Sequence, residues 1–143
     1  MLPAFANFTA PLGRLLLSVI FILAGINKLT NWHATAKSMG DHSMPAVQLL
    51  LPLAVLCELG GGILVLVGWR ARVGALALIV LLLNATLIFH NFWQYTGKEQ
   101  QDQMMNFMKN MAILGGLFIV LTFGAGPVSI DAVLKRRDTP RPE

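Results

Sequence analysis

Residues 46–69 read AVQLLLPLAVLCELGGGILVLVGW, and Glu58 is the only charged residue in the run. At a rise of about 1.5 Å per residue, a helix of this length crosses the roughly 30 Å hydrocarbon core of a bilayer. Glu58 then falls near mid-membrane. Ionisable side chains at that depth are costly, so they turn toward a bundle interior or a wet cavity and find a partner there. The stretch therefore predicts both a membrane span and a candidate site centred on Glu58.

The same apolar pattern recurs on either side. Leu15 to Asn27, Val73 to Gly97 and Asn110 to Ile130 contain no Asp, Glu, Lys or Arg. Of 143 residues 55% are hydrophobic and only 13% are charged, with a mean hydropathy of +0.64; a soluble domain carries about 25% charged residues. The chain is expected to be all-α, a bundle of four transmembrane helices near Leu12 to Leu29, Ala46 to Val67, Arg72 to Trp93 and Met104 to Phe123. One domain is expected over residues 1–137, with a disordered tail over 138–143. The first span is read as retained rather than cleaved: Arg14 is its only basic flank, and Gly25-Ile26-Asn27-Lys28 is a poor signal-peptidase context.

With four spans both termini share one side. That side collects Arg14, Arg70, Arg72, Lys135, Arg136, Arg137 and Arg141, against Lys28, Lys37, Lys98 and Lys109 on the other. The bias predicts cytoplasmic termini, and Trp69 on one face with Trp32, Trp93 and Tyr95 on the other fits two interfacial aromatic belts. The net charge of +4 is then a membrane rim that favours anionic lipid. It gives no support to nucleic-acid binding, which needs a basic face outside the bilayer.

Helical spacing sorts the polar groups. Arg14, Ser18, Phe21, Gly25 and Lys28 fall on one side of the first helix, a stripe that must face protein. Ala54, Glu58, Gly61, Gly62 and Val65 form a small-residue face on the second, where another helix can approach closely. The third carries Asn84, Thr86, His90 and Asn91; the fourth carries Asn106, Lys109, Asn110 and Gly116. Counting turns from the helix ends puts Glu58 and Asn84 level, with Lys28, His90, Lys109 and Asn110 toward the outer end. An outward-opening pocket is expected, with Glu58 and Asn84 at its floor and the other four at its mouth. Leu59-Gly60-Gly61 and Leu114-Gly115-Gly116 hint at a duplication of the second and fourth helices.

Other classes are thinned out. Cys57 is the single cysteine, so a thiol-disulfide exchanger, which needs its own Cys-x-x-Cys, is nearly excluded. His33 and His42 lack a third fixed ligand, and no metal site is expected. The stripe Met104, Met108, Met111 reads as lipid-facing or core packing. Past the break at Gly124-Ala125-Gly126-Pro127, Ser129 offers an N-cap with Asp131 in the following turn, which predicts a short interfacial helix on the cytoplasmic side. Arg14 reads as an interface anchor whose head group snorkels to the lipid phosphates.

Arg14, Gly25-Ile26-Asn27-Lys28-Leu29, Glu58 with Gly61-Gly62, Gly68, Lys109-Asn110 and Gly126-Pro127-x-Ser129-x-Asp131, in this order, resemble the DoxX family of small bacterial membrane proteins. The resemblance spans nearly the whole chain. It departs from the family's usual Gly-Pro-Gly before Ser-x-Asp. It implies a bacterial inner-membrane location and a kinship with subunits of thiosulfate:quinone oxidoreductases. Two function classes fit the residues. In one, an oxidoreductase subunit takes a quinone head group or a small sulfur oxyanion into the pocket: Lys28, His90 and Lys109 bind it, Asn84 and Asn110 line it, and Glu58 relays the proton. No cofactor-binding motif of the chain's own is present, so the redox centre would come from a diffusible quinone or from a membrane or soluble redox partner. In the other class the polar interior only specifies packing, in a scaffold or small-solute binder, alone or as an oligomer.

Overall fold

The computed structural model describes residues 2–137; the tail 138–143, with Arg141, lies outside the described residues. Six α-helices run in order: α1 Leu2–Thr30, α2 Trp32–Asp41, α3 Val47–Val67, α4 Ala71–Phe89, α5 Gly97–Phe123 and α6 Ile130–Arg137. Among the described residues, α1, α3, α4 and α5 are long and apolar enough to cross a bilayer. They form the expected four-helix bundle.

The helix ends differ from the expected ones for local reasons. α1 starts ten residues earlier than Leu12 and carries Pro11 inside it. The polar interruption there is absorbed by the helix itself, since Thr9 Oγ1 donates to the Phe5 carbonyl at 3.0 Å. α5 begins at Gly97 rather than Met104, its first turns being too polar to register as membrane span. α4 stops at Phe89, so His90 and Asn91 lie beyond the helix and lead into a short 3₁₀ turn over Phe92–Gln94. The segment between the first two spans is largely helical: α2 lies against α3 through buried Met39, which packs with Leu51 and Val55.

The core confirms the faces read from spacing. Arg14, Ser18, Phe21 and Gly25 are all buried along α1, and Glu58, Gly61, Gly62 and Val65 are buried along α3. Phe21, Val65, Leu78, Leu114 and Leu117 bring all four long helices into one apolar core. α1 packs on α3, α3 on α4 and α4 on α5. The ring closes where Leu17 of α1 fills the space over Gly116 of α5, just as Leu78 of α4 fills the space over Gly61. Leu16, Leu23, Leu56, Leu87 and Ile119 point outward on the long helices. Contiguous apolar surface of that kind is what a bilayer covers.

Candidate functional site

Each end of the bundle holds a basic residue from the buried stripe of α1. At one end Arg14 is 5% exposed, and its Nη2 donates to the Val128 carbonyl at 2.5 Å. The segment that supplies this acceptor is fastened in turn. Ser129 Oγ accepts the Ala132 amide at 3.1 Å, which makes it the N-cap of α6 as expected. Asp131 does more than sit in the first turn. Its two carboxylate oxygens accept the amides of Arg70 and Ala71 at 2.8 and 3.2 Å, capping the start of α4 from outside that helix. Gly68 ends α3 with φ +68, and a side chain there would overlap the Arg14 guanidinium and Ser129. Arg14 is thus an interior tie and not a snorkelling anchor, because the Val128 carbonyl takes Nη2 inside the fold, while Nε and Nη1 are buried without a partner.

At the other end Lys28 Nζ lies 2.7 Å from Glu58 Oε1, joining α1 to α3. Glu58 is buried at 7% exposure, while the Lys28 side chain keeps 27%. Gly25 makes the pairing feasible: a Cβ there would stand 2.7 Å from Leu59 Cγ and 3.3 Å from Glu58 Cβ, so only glycine lets α3 come this close. Glu58 Oε2 is buried with no hydrogen-bond partner.

The pair opens on a cavity of about 1120 Å³, slightly larger than the roughly 300–1,000 Å³ of small-molecule sites. Its body is an apolar groove along α3 and α4, lined by Leu53, Ala54 and Cys57 on one side and Leu76, Val80 and Leu81 on the other. α2 and the turn after it roof one end, through Ser38, Met39 and His42. Lys28, Glu58, Asn84 and His90 lie on the α2 side of the apolar stretch that runs down to Val73, with Thr35, Ser38, His42 and Ser43 beyond them toward the roof. Glu58 and Asn84 therefore form a band partway along the cavity and not its floor.

The expected site residues separate. Lys28, Glu58, Asn84 and His90 share the cavity. Asn84 spends its amide on the Val80 carbonyl at 2.8 Å, so the partner of Glu58 is Lys28 from α1 rather than a side chain of α4 or α5. His90 is bonded through Nδ1 to Gln103 at 2.8 Å. Asn110 donates to Thr86 Oγ1 at 2.9 Å within the bundle and does not line the cavity. Lys109 is exposed on α5 and does not line it either, which removes it from the mouth. Cys57 and the roof of α2 escaped the sequence reading. The i, i+3/i+4 series Val73, Ala77, Val80, Asn84, Ile88 on α4 was the available signal for the groove.

Comparison with known proteins gives a consistent kinship. Residues 10–91 match the DoxX family. The chain is 34% identical to inner membrane protein YqjF of Escherichia coli over 87% of this chain and 90% of that protein. It is 30% identical to inner membrane protein YphA of the same organism, over 84% and 86% respectively. A Surfeit locus protein 4 homolog of Drosophila melanogaster is 27% identical over 91% of this chain, which spans only 42% of that longer protein. No solved structure gives a significant match.

Proposed function

Starting from the fact that the chain belongs to the DoxX family, we propose that it is an inner-membrane, redox-associated subunit that holds a quinone-like amphiphile between α3 and α4. The observation that carries this reading is the shape of the cavity: a long apolar groove leading to a polar band that holds the Lys28–Glu58 pair. An isoprenoid tail matches the groove, and a neutral oxygen-bearing ring matches the polar band. A sulfur oxyanion is less well served, because the Lys28 charge is already matched by Glu58 and Lys109 lies elsewhere. Glu58 is positioned to exchange a proton with the ring oxygen while the partner protein handles the electrons. The clustering of Arg70, Arg72, Lys135, Arg136 and Arg137 with Arg14 supports cytoplasmic termini. A C-terminal reporter active only outside the cytoplasm would reverse that orientation.

A scaffold role is the competing reading, and the close packing of Gly25 on Leu59 and Glu58 favours it, since the ion pair also sets the register of α1 on α3. Solvent extraction of the purified protein, followed by melting curves with decylubiquinone, decides. Co-purified quinone and a raised Tm are expected for the binding role. If no quinone is extracted and none shifts the parent Tm, while Glu58→Gln and Lys28→Met unfold early, the scaffold stands instead.

A further inference from the structure

We infer that the cavity selects the reduced, hydroxyl-bearing form of its amphiphile over the oxidised, carbonyl-bearing form. This rests on the reading that a quinone-type ring sits at the Lys28–Glu58 pair, and it follows from how the hydrogen-bonding capacity around that pair is used.

Glu58 Oε1 takes Lys28 Nζ at 2.7 Å, and Oε2 is left buried and unpartnered. An ionised carboxylate only accepts, so Oε2 requires a donor. No side chain supplies one: Oε2 is without a partner, Asn84 turns one amide N–H to the Val80 carbonyl, and His90 Nδ1 is bonded to Gln103. A buried acceptor left bare carries a desolvation penalty, and an incoming O–H removes it. Lys28 brings three donors and has used one on Glu58, so it can also donate to the same oxygen. A hydroxyl satisfies both neighbours at once, accepting from Nζ and donating to Oε2. A carbonyl oxygen satisfies only Nζ and sets its lone pairs against those of Oε2.

Anaerobic equilibrium binding to the full-length protein in nanodiscs tests this with decylubiquinol, decylubiquinone and the quinol dimethyl ether. The quinol is expected to bind about tenfold more tightly than the quinone, the scale of one hydrogen bond to a charged acceptor. The ether, with its donors methylated, is expected to bind no better than the quinone. Glu58→Gln places an amide N–H₂ where Oε2 stood and is expected to reverse the preference toward the quinone, which loss of packing alone would not do. Equal or tighter binding of the quinone overturns the selectivity and leaves the binding role intact. Binding of none of the three overturns both. Where Glu58→Gln does not fold, the ether series on the parent protein still decides: an ether that binds as tightly as the quinol refutes the inference.

Discussion

Arg14 and Lys28 stand on the same buried stripe of α1, yet the two ends of the bundle treat them in opposite ways. The Arg14 end is sealed. A backbone carbonyl takes the guanidinium, Gly68 makes room for it, and Asp131 pins the neighbouring turn through two amides. The Lys28 end is open. Its carboxylate partner keeps one oxygen unused and faces a cavity of about 1120 Å³. A charge inside a membrane helix is therefore not by itself a sign of binding or catalysis. Unused hydrogen-bonding capacity alone does not separate the two ends, since Arg14 Nε and Nη1 are unpartnered as well as Glu58 Oε2; what differs is the cavity beside Glu58.

The contrast is broken most directly by Arg14→Met. Removing the guanidinium strips the Val128 carbonyl of its donor and leaves Asp131 without the nearby positive charge, and a loss of about 3–5 kcal/mol in denaturation from mixed micelles is expected. A loss below about 1 kcal/mol would show that this end is not held by the arginine. At the open end Lys28→Met alone is expected to cost about 1–3 kcal/mol, less because its side chain keeps some solvent. The double variant Lys28→Met/Glu58→Leu should return to within about 1 kcal/mol of the parent, since an apolar pair can replace a buried ion pair. It should also lose all ligand-induced rise in Tm; a double variant that still responds to decylubiquinone would separate the ion pair from binding.

Asp131→Ala sharpens the picture of the sealed end, with an expected loss of about 1–2 kcal/mol for one helix cap and an unchanged ligand response. The smallest effects belong to Lys109→Met. It is expected to stay within about 0.5 kcal/mol of the parent and to leave ligand affinity alone, because Lys109 lies on an exposed face away from the cavity. A clear fall in affinity would return it to the site.

The spans and the buried stripes were legible because hydropathy and helical spacing are local properties. Ser129 as an N-cap and the glycine-lined face of α3 were legible for the same reason. The partner of Glu58 was not. Depth counted from assumed helix starts placed Lys28 at the outer mouth, but α1 runs from Leu2 and ends close to the level of Glu58, with α2 continuing along α3 beyond it. α2 itself was hidden because its apolar residues are few and small apart from Trp32 and Met39, and only Met39 is buried. Asp131 was read correctly as a first-turn residue of the last helix, but its second role as a cap on α4 was not legible, since a cap reaching across 60 residues leaves no local pattern. Lys109 looked interior from its neighbour Asn110, although adjacent helical residues point about 100° apart.

The tie between Arg14 and Val128 joins positions 114 residues apart, almost the full described length of the chain. Synthesis delivers α1 first and the acceptor last. Until residues 126–131 have been made, the guanidinium has no seat inside the bundle, and hydrocarbon will not hold it bare. Without that acceptor the favourable place for Arg14 is the head-group layer. The seat for the arginine and the Asp131 cap on α4 both come from this last segment, so the two depend on it together. A chain cut short before Val128 would remain marked as unfinished by a charged helix that cannot settle.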